Sequence, residues 1–92
     1  MALLSDEEIE TKLSLLAGWS RRGDEIVREF EFADFVGSVR FVDGLVAPAE
    51  RLGHHPDLRI SWNTVEVSIS THSEGGLTAA DFELAREIDA LA

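Results

Sequence analysis

His54, His55 and His72 are the only histidines in the chain, and all fall in the stretch from Glu50 to His72. Histidine is the side chain whose ordinary pKa, about 6.5, lets it give or take a proton near neutral pH without special tuning. Each alone would read as a surface or loop residue. Together they point to general acid–base chemistry, which needs proton-active groups held rigidly in one place. Gly53 can end a helix, and Pro56 drives His55 toward extended backbone. A hairpin beyond Pro56 can then return the chain so that His72 lies near the pair.

Other chemistries fit less well. Three imidazoles can hold a catalytic zinc, but adjacent side chains such as His54 and His55 diverge, and no HExxH pair places two imidazoles on one helical face, so no metal is expected. The chain has no cysteine, which removes disulfides, thiolate metal sites and thiol nucleophiles. It has no Gly-x-Ser-x-Gly elbow and no phosphate-cradling glycine loop, and Gly75-Gly76 reads as a turn.

The elements that must position these residues are legible as patterns. Ser5 and Glu8 form a capping box with Leu4 and Ile9 as its staple, and Ile9, Leu13 and Leu16 carry a helix to about Ala17, before Gly18. Trp19 to Arg22 and Asp24 to Phe32 flank Gly23 as a hairpin, with Ile26, Phe30 and Phe32 on one face. From the N-cap Asp34, the apolar stripe Phe35, Val39, Val42, Leu45 or Val46, Ala49 and Leu52 predicts a long second helix ending at Gly53. Pro48 should kink it, with a split into two shorter helices as the alternative.

After Pro56 the period changes to two. Leu58, Ile60 and Trp62 share a face, Asn63-Thr64 turns, and Val65, Val67 and Ile69 follow, leaving His72 on the polar side near the end of the last strand. Ser73 to Gly76 reads as a loop. Thr78 with Asp81 is a second capping box, and Phe82, Ala85, Ile88 and Leu91 line a final helix. The expected order is α-β-β-α-β-β-α over a single domain, residues 1–92. The fold class is α+β, a four-stranded antiparallel sheet with three helices packed on one face.

Composition agrees with a small folded domain: 92 residues, 45% hydrophobic and 28% charged. A net charge of -10 with no basic stripe argues against nucleic acid and anionic membranes as partners. No export signal and no apolar run of ~20 residues is present, so a cytoplasmic location is expected.

At these residues the sequence resembles the pterin-4a-carbinolamine dehydratase family. The likeness rests on Glu50, His54, His55, Pro56, Trp62, His72 and Asp81 at the family's spacing. Flanking Ser70-Thr71-His72 and Gly76-Leu77-Thr78 support it, as do Ala17-Gly18-Trp19 and Phe32 to Phe35 at the front. The resemblance implies dehydration of 4a-hydroxytetrahydropterin to quinonoid dihydropterin without metal or organic cofactor, in a homodimer or homotetramer. It implies His54 and His72 as proton-transfer groups and His55 as the group that binds and orients the pterin. Trp19 and Pro56 would form apolar walls; Ser70, Thr71, Ser73 and Glu74 would bring polar groups to the substrate edge. Glu50, one turn before His54, would favour its acid form, or would simply solvate the helix. Trp19 could equally be a core residue, and Asp81 reads first as a helix cap, with Trp62 as further support. Two positions depart from the family pattern, Gly53 before the histidine pair and Leu58 after it. The family also contains non-catalytic branches, a dimerisation cofactor of a homeodomain transcription factor and a Rubisco-assembly-like protein. A binding or assembly module is therefore the alternative reading.

Overall fold

The computed structural model describes residues 2–92. Helix α1 spans Asp6–Ser14 and starts on the expected capping box: the Ser5 hydroxyl accepts from Glu8 N at 3.2 Å, and the Glu8 carboxylate accepts from Ser5 N at 2.8 Å. Hydrogen bonding to Ser5, its backbone N–H first and its side chain second, holds the Glu8 carboxyl below its ordinary pKa. The helix stops before Ala17. Ser14 Oγ donates to Thr11 O at 2.6 Å, and Leu15 N and Leu16 N bond only three residues back, tightening the last turn. Gly18 (φ 91°) then redirects the chain where a Cβ would lie 2.8 Å from the Arg28 guanidinium.

Strands β1 (Ser20–Arg22) and β2 (Glu25–Glu31) pair antiparallel around Gly23, as their pattern predicts. The long second helix is not continuous. Helix α2 (Phe35–Gly44), capped by Asp34 Oδ1 on Gly37 N at 2.8 Å, gives way at Leu45 to α3 (Val46–Leu52). Pro48 therefore splits the helix instead of kinking it. The break puts Pro48 in the first turn of α3, where a backbone N–H would have had no helical partner anyway.

Strands β3 (Asp57–Ser61) and β4 (Thr64–Ile69) form the second hairpin. Its turn lies one residue earlier than expected: Ser61 pairs with Thr64, so Trp62 and Asn63 make the turn. Trp62 takes φ 50° and is 68% exposed, so it is not part of the apolar face. Asn63 anchors the turn instead, its Nδ2 donating to Phe32 O at 3.1 Å while its own carbonyl accepts from Phe32 N at 2.7 Å.

The sheet order is β1-β2-β4-β3, all antiparallel. The two inner strands supply Ile26, Phe30, Val65, Val67 and Ile69 to the core, against Ile9, Phe41, Leu45, Phe82, Leu84 and Ile88. The other face carries Glu29, Glu66 and Ser68 in register. Being an edge, β3 is exposed along its whole length, Leu58 and Ile60 included. Helix α4 (Ala79–Leu91) starts on the Thr78–Asp81 capping box and buries Phe82, Leu84, Ala85 and Ile88, while Leu91, expected on the inner face, is half exposed in the last turn.

Candidate active site

The segment between α3 and β3 sets the site. Gly53 takes the left-handed conformation (φ 61°) at the end of α3, and His54 N then bonds back to Ala49 O at 3.0 Å. This helix ending turns the chain sharply, so the next two side chains leave in opposite directions. A residue with a Cβ would be strained at Gly53, so the departure here suits the turn.

His54 points inward to α4. Its side chain is 14% exposed, and its Nε2 lies 2.5 Å from Oδ1 of Asp81, which is fully buried. The second carboxylate oxygen, Oδ2, accepts from Thr71 Oγ1 at 2.9 Å and from Thr78 N at 2.8 Å. Asp81 is therefore both the helix cap read from the sequence and the support of His54. A carboxylate only accepts hydrogen bonds, so Nε2 is the nitrogen that carries a proton, and in the neutral ring the lone pair is on Nδ1. No buried side-chain nitrogen or oxygen among the described residues lacks a partner, which leaves that Nδ1 open to solvent.

His55 points outward. Its Nε2 pairs with Glu50 Oε2, both side chains well exposed. Glu50 thus serves His55, not His54 as expected from the one-turn spacing. Beside them Val42, Leu45, Val46, Ala49, Pro56 and Leu58 line an open apolar groove of about 210 Å³. The second departure, Leu58, is a wall of this groove.

His72 arrives from the other side. It does not lie on a strand: β4 ends at Ile69, Thr71 bridges to Gly76, and His72 opens a 3-10 turn, His72–Glu74, where a plain loop was expected. Its Nδ1 is 3.4 Å from Ser70 Oγ, and its Nε2 is 3.7 Å from Asp57 Oδ2, two residues beyond His55. Two connections therefore bring the histidines to one end of the sheet, His54–Asp81–Thr71 and His72–Asp57. Ser73 and Glu74 are exposed on the same turn.

The other expected residues sit elsewhere. Trp19 is buried in the core, edge-on to Phe30 at 6.2 Å, with its indole Nε1 donating to both oxygens of Asp89 at 2.9 and 3.0 Å. Arg28 completes that ion pair at 2.9 Å. Trp62 is at the opposite end of the β3–β4 hairpin from His55 and His72, roughly 16 Å along the strand from Asp57 at about 3.3 Å per residue. Thr71 is 8% exposed, and its hydroxyl is committed to Asp81 and Thr78. Asp81 does more than its capping pattern implies: a cap residue that is also fully buried has an oxygen to spare, and burial is not visible in the sequence. Among the described residues no group of three or more His, Asp or Glu side chains is arranged to hold a metal ion, and no helix is long and apolar enough to cross a membrane.

Fold and site together define a small α+β domain with a histidine–carboxylate cluster at one end of an antiparallel sheet. The family profile described as pterin 4 alpha carbinolamine dehydratase matches residues 2–91. A Thermosynechococcus vestitus protein provisionally named pterin-4-alpha-carbinolamine dehydratase is 52% identical over 89 residues, 97% of this chain and 94% of its own. A crystal structure described as a transcriptional coactivator/pterin dehydratase from Brucella melitensis superposes with a TM-score of 0.94 at 35% identity, covering 99% of both chains. A pterin dehydratase-like protein identified as a RuBisCO assembly factor in the alpha-carboxysome shares the fold, with a TM-score of 0.65 at 24% identity over 80% of this chain and 86% of that one. This chain belongs to the pterin-4-alpha-carbinolamine dehydratase family.

Proposed function

We propose that this protein dehydrates a 4a-hydroxytetrahydropterin to the quinonoid dihydropterin and water, by histidine acid–base catalysis. The observation that carries the reading is His54, whose Nε2 is held by a buried carboxylate while Nδ1 has no protein partner among the described residues, at the end of the sheet that also carries His55 and His72. In the reaction the C4a–O bond breaks with its electron pair leaving on oxygen, and a proton from the acid makes the leaving group water. The N5–H proton passes to the base, and the N5 pair closes the C4a=N5 bond.

His54 Nδ1 is the base in this scheme, and exposed His72, close to Asp57, is the acid. One proton is given and one taken, so solvent exchange restores both rings. His55, steadied by Glu50, orients the pterin against the apolar groove of Pro56 and Leu58. Ser70, Ser73 and Glu74 supply the polar edge. General acid and base of this kind each contribute about 10²- to 10⁴-fold.

The protein acts as a homodimer or homotetramer in this reading. Support comes from two free sheet edges, β1 and β3, and from exposed Phe35, Val36 and Val39 on α2. Purified protein should accelerate the loss of 4a-hydroxytetrahydropterin, followed by absorbance. A rate equal to that of buffer alone would overturn the enzyme reading in favour of the non-catalytic binding or assembly module.

A further inference from the structure

We propose that Thr71 is a positioning residue that locks the two halves of the histidine cluster together through Asp81. The inference rests on the acid–base reading above and deepens it. Thr71 Oγ1 is 2.9 Å from Asp81 Oδ2 and 2.8 Å from Thr78 Oγ1. A hydroxyl has one proton, and a carboxylate can only accept it, so Thr71 donates to Asp81 and accepts from Thr78. The donor order runs from Thr78 to Thr71 to Asp81, and Oδ1 on the far side of the carboxylate receives the His54 proton.

The main chain of the same residue builds the other half. Thr71 N donates to Gly76 O at 2.9 Å, and Thr71 O accepts from Glu74 N and Gly75 N, both at 3.0 Å. These bonds close the turn that carries His72. One buried residue thus fixes the His72 turn through its backbone and the His54 ring through its hydroxyl. With 8% of its surface exposed, Thr71 is placed to hold groups that touch substrate, not to touch it. Valine has the same shape without the proton. Thr71→Val would leave Asp81 Oδ2 with a single donor and release the carboxylate to rotate away from His54.

The test uses the full chain as Thr71→Val and Thr71→Ser, with kcat and KM for 4a-hydroxytetrahydropterin measured separately and the His54 ring nitrogens followed by ¹⁵N NMR. Thr71→Val is expected to lower kcat roughly 10- to 100-fold with KM within about twofold, and to shift the His54 ring signals. Thr71→Ser keeps the hydroxyl and should restore both readings. Val65→Ala, a buried truncation at the far end of β4, should lower stability without moving either reading, which separates positioning from loss of stability. Should Thr71→Val fail to fold, Thr71→Ala carries the same comparison. Unchanged kcat and unchanged His54 signals in the hydroxyl-less variant would overturn the proposal, as would a Thr71→Ser protein as slow as Thr71→Val. If the wild-type protein shows no turnover, the dehydratase reading fails, while the His54 signals still decide whether Thr71 holds that ring.

Discussion

Replacing Asp81 by asparagine tests the proposed proton path at one atom. The side chain is fully buried, so the amide must satisfy the same partners that the carboxylate did. On the Oδ2 side it meets two donors, Thr71 Oγ1 and Thr78 N; on the Oδ1 side it meets one, His54 Nε2. An amide presents oxygen to one side only. Turning its NH₂ toward His54 opposes one donor instead of two and is the favoured arrangement. His54 relieves that conflict by moving its proton from Nε2 to Nδ1. The lone pair proposed to receive the substrate proton is then gone, so the rate should fall by about 10²- to 10⁴-fold. The folding cost is smaller. Hydrogen bonds to a charged group contribute roughly 1.5–3 kcal/mol against about 1 for neutral ones, so exchanging the carboxylate for an amide should cost about 1–2 kcal/mol net. For a domain of this size that lowers Tm by roughly 4–16 °C, at about 4–8 °C per kcal/mol. The assay pairs turnover, measured well below that Tm, with ¹⁵N NMR of the imidazole tautomer. An Asp81→Asn protein with the wild-type rate and an Nε2–H tautomer at His54 would refute the reasoning.

Three further outcomes are expected. His54→Ala and His72→Ala should each slow turnover by about 10²-fold or more, and wild-type rates in both would remove the assigned roles. Light scattering at micromolar concentration should give a dimer or tetramer; a 10.1 kDa species would contradict the oligomer. The Glu8 carboxyl, held low by the Ser5 cap, has a folded pKa below its unfolded value, so its contribution to α1 is present above the ordinary carboxylate range and is lost as pH falls through the folded value. Amide exchange in α1 should therefore quicken on acidification in the wild type, and Glu8→Gln should remove that pH dependence.

Much of the fold was legible because its signals are local. Both capping boxes, the Gly23 turn and the Gly53 helix ending depend on residues within three or four positions of one another, and each is found where its pattern places it. The alternation in β4 was equally readable because Val65, Val67 and Ile69 face a core that covers that strand. The same alternation misled in β3. Leu58, Ile60 and Trp62 share a period with β4, but edge position leaves the first two partly exposed and sends Trp62 into the turn. The split at Leu45 could be read only as the alternative to a kink for a similar reason: an apolar stripe reads the same across a kink or a break.

At the site, residue types and spacing alone pointed to histidine acid–base chemistry in one segment, since all three histidines fall there and the chain has no cysteine. They also determined that His54 and His55 diverge. Which partner each histidine takes was a tertiary matter. Glu50 looked like the partner of His54 by helical spacing, yet the left-handed Gly53 turns His54 toward α4 and leaves Glu50 to His55. The carboxylate that does hold His54 lies 27 residues away, and the threonine that holds that carboxylate lies 10 residues before it. Contacts of that kind follow from the packing of α3 and the β4 exit against α4, which local sequence pattern does not encode; the proton is fixed on Nε2 only once that packing has set Asp81 against His54.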